Sequence, residues 1–199
     1  MEPSEGSIRI VVIQGSVRPG NYTSKASALV VDQLRQDPKV SAEVVDPARL
    51  DLPLPGTDPN AESARTLQET VGAASGVVLA TPEYHGSFSS VMKLVIENLG
   101  FPSVLSGKPV ALLGVAAGSI GAIKSLEQLR SVCSHIGAIV LPLPISVAHV
   151  QKVFDAEGRC LDPGVERLIR GVATTLLDYL RQNVCPRIQL ERLLREGIA

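Results

Sequence analysis

The sequence predicts an α/β domain: a doubly wound, five-stranded parallel sheet with helices on both faces. Three observations predict it. Short β-branched apolar runs alternate with segments of helical periodicity, the pattern of repeated βαβ units. Several of those runs are apolar almost without a break, as strands covered on both faces are. The composition, 45% hydrophobic and 20% charged over 199 residues, suits one globular domain with a sizeable core.

IRIVVIQ (8–14) is the first buried strand, and a loop follows from Gly15 to Asn21. A helix runs from about Tyr22 to Gln36, with Ala26, Leu29, Val30 and Leu34 on one face. VSAEVVD (40–46) alternates, as a strand nearer an edge does. Residues 47–60, rich in Pro and Asp, form a surface loop, and Ala61, Ala64, Leu67 and Val71 mark a second helix. GVVLA (76–80) is the next strand, expected to stop at Thr81-Pro82 because proline has no amide to donate. Val91, Leu94, Val95 and Leu99 define a helix closed by Gly100. PVALLGV (109–115) is the fourth strand, a Gly-rich turn leads to a helix from about Ser119 to Ile136, and AIVLPLP (138–144) is the fifth strand. Asp162-Pro163 is a helix start, and Val165, Leu168, Ile169, Val172, Ala173, Leu176, Leu177 and Leu180 follow it at strict helical spacing. Right-handed crossovers make the flavodoxin-like order 2-1-3-4-5 the leading topology, with a six-stranded dinucleotide-binding domain as the alternative. Residues 1–183 form the domain and 184–199 a tail. In that tail Leu190, Leu193 and Leu194 stand at i, i+3 and i+4 on a short amphipathic helix that needs a surface to dock on, its own domain or a neighbouring subunit.

Charge and cysteine usage exclude several classes. Nineteen basic and twenty acidic side chains leave a net charge of −1, with no basic-aromatic stripe for nucleic acid. No apolar run is long enough to span a membrane, and the acidic start MEPSEGS is not expected to act as a signal peptide. Cys133, Cys160 and Cys185 are odd in number and lack a CxxC, which argues against disulfides and zinc and for a reducing, cytoplasmic setting. No metal ligand set is expected.

Ligands of open parallel sheets bind beyond the carboxyl ends of the strands. The first such loop, GSVRPGNYTSK (15–25), opens a helix whose free N–H groups favour an anion; Ser16, Asn21, Thr23 and Ser24 add donors and Arg18 a positive fork, so a phosphate monoester is its natural guest. A phosphate-hydrolysing loop needs Gly-Lys-Ser/Thr, but Gly20 is followed by Asn21-Tyr22; the dinucleotide GxGxxG fails at Val17. The second loop, TPEYHGSFSS (81–90), gathers Glu83, Tyr84 and His85 at a strand end. No second ligand stands at metal spacing beside His85, and Ser87 and Ser119 lack the GxSxG of a hydrolase nucleophile. A planar heteroaromatic held along the loop and covered by Tyr84 remains, beside the plainer reading of a polar loop. The third loop, VAAGSIGA (115–122), is small enough to let a flat ligand approach the backbone. His135 and His149 are expected to be structural.

Together the three loops resemble the NADPH-dependent FMN reductase family, which includes quinone, azo-dye and chromate reductases. GSVRPGNYTS resembles its phosphate loop, PEYHGS its isoalloxazine loop, and GSIGAIKSLEQLR its turn and helix after the fourth strand. The resemblance runs from about Ile8 to Leu180 and implies bound FMN and two-electron reduction by NADPH or NADH. It implies that Ser16, Arg18, Asn21, Tyr22 and Thr23 hold the FMN phosphate. Pro82, Glu83, Tyr84, His85 and Ser87 then line the ring, with Ala117 and Gly118 beside it. The chain departs from some members at Ala116, where they carry Ser or Thr, and at Gly121-Ala122, where they carry Gly-Gly.

No side chain need act as acid or base, because the chemistry belongs to the cofactor. A carrier flavodoxin usually flanks its flavin with two aromatics and is strongly acidic; this chain offers Tyr84 on the second loop, no aromatic on the third, and is near neutral. That favours hydride transfer in ping-pong order to a small acceptor (quinone, azo or nitro compound, metal oxyanion or flavin) over an electron carrier or an FMN-binding regulator. A homodimer or a dimer of dimers is expected from the family and from the apolar helix carrying Val91, Met92, Leu94, Val95, Ile96 and Leu99.

Overall fold

The computed structural model describes residues 8–195. The acidic start (1–7), the last four tail residues (196–199) and the side chains of residues 192, 193 and 195 lie outside the described residues, so Leu193's place in the tail stripe is not assigned.

The sheet is built from β1 (Ile8–Gln14), β2 (Val40–Val45), β3 (Gly76–Tyr84), β4 (Ser87–Phe88), β5 (Pro109–Val115), β6 (Ile139–Val140) and β7 (Ile145–Val147). Its parallel order is β2-β1-β3-β5, then β6 and β7 in turn along the far side of β5; β4 folds back antiparallel on β3. This is the flavodoxin-like arrangement 2-1-3-4-5 with its fifth position shared by two short strands. Pro142 and Pro144, which have no N–H to donate, and Leu143 at φ +58° interrupt the expected 138–144 strand.

Residues of alternate parity on each strand feed two cores. Ile10, Val12, Val78 and Leu113 pack against α1 (Tyr22–Arg35) and α6 (Pro163–Tyr179). Val11, Ile13, Val77, Leu79 and Leu112 pack against α2 (Glu62–Gly72), α3 (Ser90–Glu97) and α4 (Ile123–His135). Each fully buried Ile, Leu or Val contributes about 1.5–3 kcal/mol relative to exposure, so both faces of the sheet must be covered. Asp162 caps α6 as expected, its carboxylate accepting from the N–H groups of Gly164 and Val165.

Two boundaries and the exposure of one helix differ from expectation. β3 does not stop at Pro82. Ala80 turns its carbonyl toward Gly15, and backbone groups two residues apart face the same way, so the missing N–H of Pro82 faces the side that β1 has already left. α4 begins at Ile123 and not near Ser119, because Gly121 at φ +75° closes a turn onto the Gly118 carbonyl first. The apolar helix α3 is largely spent on its own core: Met92, Val95 and Ile96 are buried and only Val91 and Leu94 stay half-buried.

The tail is helical, as α7 (Cys185–Arg195), and continues α6 through a π-helical turn at Leu180–Val184. Pro186 supplies a reason: it cannot donate to the carbonyl four residues back, and a widened turn absorbs the mismatch. Ile188, Leu190 and Leu194 are more than half exposed, so the tail does not fold back on its own domain. No described helix is long and apolar enough to cross a membrane.

Candidate functional site

The loops after β1, β3 and β5 meet at one end of the sheet. Gly15 starts the first because nothing larger fits: a Cβ there would lie 2.9 Å from the Ala80 carbonyl oxygen and 3.2 Å from the Thr81 Cα. Its own carbonyl accepts a 2.5 Å hydrogen bond from the buried Ser89 hydroxyl, which also caps α3 by accepting from the Met92 N–H. Ser89 thus ties the first loop to the second; the SFSS run held that signal, but a cap serine and a loop tether look alike in sequence.

Asn21 is the N-cap of α1, its carboxamide oxygen accepting from the Ser24 N–H at 2.8 Å and its amide donating to the Arg18 carbonyl. The Ser24 hydroxyl turns to Gln14 and Asn21, and Tyr22 packs against the core and faces the Lys25 ammonium 5.3 Å from its ring centre. The first turn of α1 holds no acidic residue, so its positive end is not neutralised locally. Among the described residues, no backbone N–H from residues 16–18 or 20–23 reaches an acceptor. The Ser16 hydroxyl is buried without a hydrogen-bond partner. A buried, unpaired hydroxyl costs roughly 1–3 kcal/mol, so its presence beside free N–H groups and an acid-free helix start fits a site built for an anion such as a phosphate monoester.

The second loop is a hairpin. Glu83 pairs with Phe88 and Tyr84 with Ser87, leaving His85 and Gly86 as the two turn residues at φ +52° and +74°. Positive φ at both centres marks a type I′ turn, where Asn-Gly is the favoured pair; His85 therefore occupies a backbone position before it occupies a chemical one. α4 holds this hairpin. The Ser125 N–H donates to the Glu83 carboxylate at 3.1 Å, and the Gln128 carboxamide accepts from the Ser87 hydroxyl at 2.7 Å and donates to the Gly86 carbonyl at 3.0 Å. The Glu83 carboxylate is thus turned to a helix N-terminus that has no side-chain cap of its own. Ser125 and Gln128 were missed because they lie mid-pattern on a helix, where sequence gives polar residues no address.

The third loop rests on the strand that resumes after the proline break. The Ala116 N–H donates to the Val147 carbonyl, the Ala122 N–H to the Ser146 hydroxyl, and Gln151 reaches the Ala117 carbonyl. His149, at φ +47°, donates its backbone N–H to the Gly118 carbonyl at the start of α5 (Val150–Val153). Between second and third loops lies an open cleft of about 340 Å³, lined by Glu83, His85, Gly86 and the segment from Ala116 to Gly121. Arg18 reaches across from the first loop to Tyr84, closing the group. Among the described residues no cluster of three His, Cys, Asp or Glu stands ready for a metal.

Comparisons with known proteins identify the family. The model of the NADPH-dependent FMN reductase family matches residues 8–152. An NAD(P)H-dependent FMN reductase of Pseudomonas aeruginosa is 31% identical over 182 residues, which cover 88% of this chain and 96% of that protein. An NADPH azoreductase of a Bacillus species is 32% identical over 178 residues, 87% of this chain and 93% of that one. The solved structure of FerB, a flavoenzyme NAD(P)H:(acceptor) oxidoreductase from Paracoccus denitrificans, shares the fold with a TM-score of 0.74 at 22% identity, covering 88% of this chain and 98% of its own. With a match that takes in all three loops, the chain belongs to the NADPH-dependent FMN reductase family: it is an oxidoreductase with FMN as cofactor and NAD(P)H as reductant.

Proposed function

We propose that the chain takes electrons from NAD(P)H and delivers them to a small flat acceptor, a quinone or azo compound first, in ping-pong order at a single open mouth. Nitro compounds, metal oxyanions and free flavin suit the same mouth. The observation that carries this is the 340 Å³ cleft between the second and third loops, whose third-loop wall from Ala116 to Gly121 has no aromatic side chain to cover a ring. The azoreductase relative, similar over most of its length, supports the acceptor class.

Within that reading the residues divide the work. Ser16 and the free N–H groups of residues 16–18 and 20–23 receive the phosphate, and Arg18 adds charge. Asn21 shapes the loop as its helix cap, and Tyr22 and Thr23 seat the first turn. Pro82, Glu83, Tyr84, His85 and Ser87 form the ring-side wall, Glu83 and Ser87 through their backbone because their side chains are engaged with α4. Ala117 and Gly118 stand beside the ring and leave one face accessible. FMN, when bound, supplies the two-electron chemistry; the protein binds, orients and limits access. A two-fold assembly suits the exposed Leu190 and Leu194 of α7, and a reducing compartment such as the cytoplasm suits three unpaired cysteines.

Steady-state oxidation of NADPH by the FMN-loaded protein, with a benzoquinone and with an azo dye, tests the reading. Parallel double-reciprocal lines are expected. Absence of NAD(P)H oxidation with every acceptor, while FMN is bound, would instead indicate an electron carrier.

A further inference from the structure

The hairpin that forms the second loop has only two residue pairs, Glu83 with Phe88 and Tyr84 with Ser87, and a hairpin that short does not hold its shape alone in water. Its conformation comes from α4. Ser125 and Gln128 stand three residues apart on one face of that helix and meet the hairpin at both of its sides. Gln128 makes the more demanding contact. One carboxamide accepts from Ser87 and donates to Gly86, so it pins both residues that follow His85 in the turn. The task needs an acceptor and a donor on one carbon: a methionine has no donor and only a weak acceptor, and a glutamate would set a carboxylate against the Gly86 carbonyl. Gln128 is exposed and is not among the residues that line the cleft, so burial does not explain this fixed double contact.

We propose that Gln128 is a positioning residue that presets the ring-side loop, so that affinity for the flavin ring and the flavin's reduction potential depend on a helix side chain outside the cleft. The proposal rests on the reading of this loop as the ring-side wall. Its contacts lie on the ring-side loop and touch none of residues 15–25, so its effect falls on the part of the ligand that FMN and riboflavin share.

Full-length wild type, Gln128→Met and Gln128→Glu are titrated with FMN and with riboflavin, which shares the ring but lacks the phosphate, and the midpoint potential of bound FMN is measured for each. Gln128→Met removes both bonds and should weaken both ligands by the same factor, about five- to tenfold, the scale of two modest hydrogen bonds, and should shift the potential. Ser87→Ala removes one of the two bonds from the other side; it should give a smaller loss of the same kind, and the double variant should lose no more than Gln128→Met alone. It carries the comparison should Gln128→Met fold poorly, which its ligand-free thermal midpoint reports. Unchanged affinity for both flavins, or a loss for FMN without one for riboflavin, would overturn the role of Gln128. Wild-type protein that binds neither flavin would overturn the reading of the site itself.

Discussion

The guanidinium carbon of Arg18 lies 4.5 Å from the centre of the Tyr84 ring. This contact joins the phosphate-side loop to the ring-side loop directly, and it places a positive charge where a single cofactor would touch both. Exposed cation–π contacts contribute about 0.5–1 kcal/mol, enough to preset a loop without locking it.

Replacing Arg18 with alanine should therefore weaken FMN by about 1.5–3 kcal/mol, the scale of a hydrogen bond to a charged group. Riboflavin should lose much less, since it brings no phosphate. A fluorescence-quenching titration with both ligands decides this, and unchanged FMN affinity removes Arg18 from the site.

His85 sits at the first centre of the type I′ turn, at φ +52°, where asparagine is better tolerated. His85→Asn should raise the thermal midpoint slightly and keep most of the activity. Rapid-mixing measurement of the reductive half-reaction checks the second point. A loss beyond about 1,000-fold with FMN still bound would mark His85 as an acid–base group, since such steps contribute about 10²–10⁴-fold.

Ser89→Ala should cost about 1–3 kcal/mol of stability, because the buried Gly15 carbonyl loses its donor and α3 loses its cap. It should also weaken FMN, since Gly15 begins the phosphate loop. Urea unfolding with and without FMN measures both. Stability lost with no change in ligand affinity would confine Ser89 to the fold.

Burial on the core face of α4 pushes the Cys133 thiol up to about 12 from an ordinary value of 9.0. Below pH 9 the thiol is protonated whether the chain is folded or unfolded, and its contribution to stability is complete. Above that the unfolded chain releases the proton first, so stability from this group falls by about 1.4 kcal/mol per pH unit until the folded value is reached. Urea unfolding between pH 8 and 10, about a unit either side of the ordinary thiol value, should show a steeper decline for wild type than for Cys133→Ala. Equal slopes would contradict the account.

Most of the fold was legible because buried parallel strands and amphipathic helices write themselves into periodicity: Ile8–Gln14, Pro109–Val115 and the Asp162-capped α6 lie where the pattern put them. What the pattern hid was decided by neighbours. Pro82 continues a strand only because β1 has ended beside it, and Pro142 and Pro144 break one without ending the sheet position, since β7 returns to β5. At the site, the loops were visible through their Gly, Ser and Arg content, and the resemblance named the cofactor. The side chains that hold those loops in place, Ser89, Ser125, Gln128 and Ser146, were not visible, because each works through a contact 24 to 74 residues away in sequence.

The central claim is that these three loops bind one FMN and open it to NAD(P)H and then to an acceptor. The most direct measurement is an anaerobic titration of the FMN-reconstituted protein with NADPH, followed by a quinone, watched through the flavin absorbance. The account predicts one FMN per chain, bleaching with one equivalent of NADPH, and full recovery on adding one equivalent of quinone. FMN that fails to bind, or that binds and is not bleached by NADPH or NADH, would contradict it.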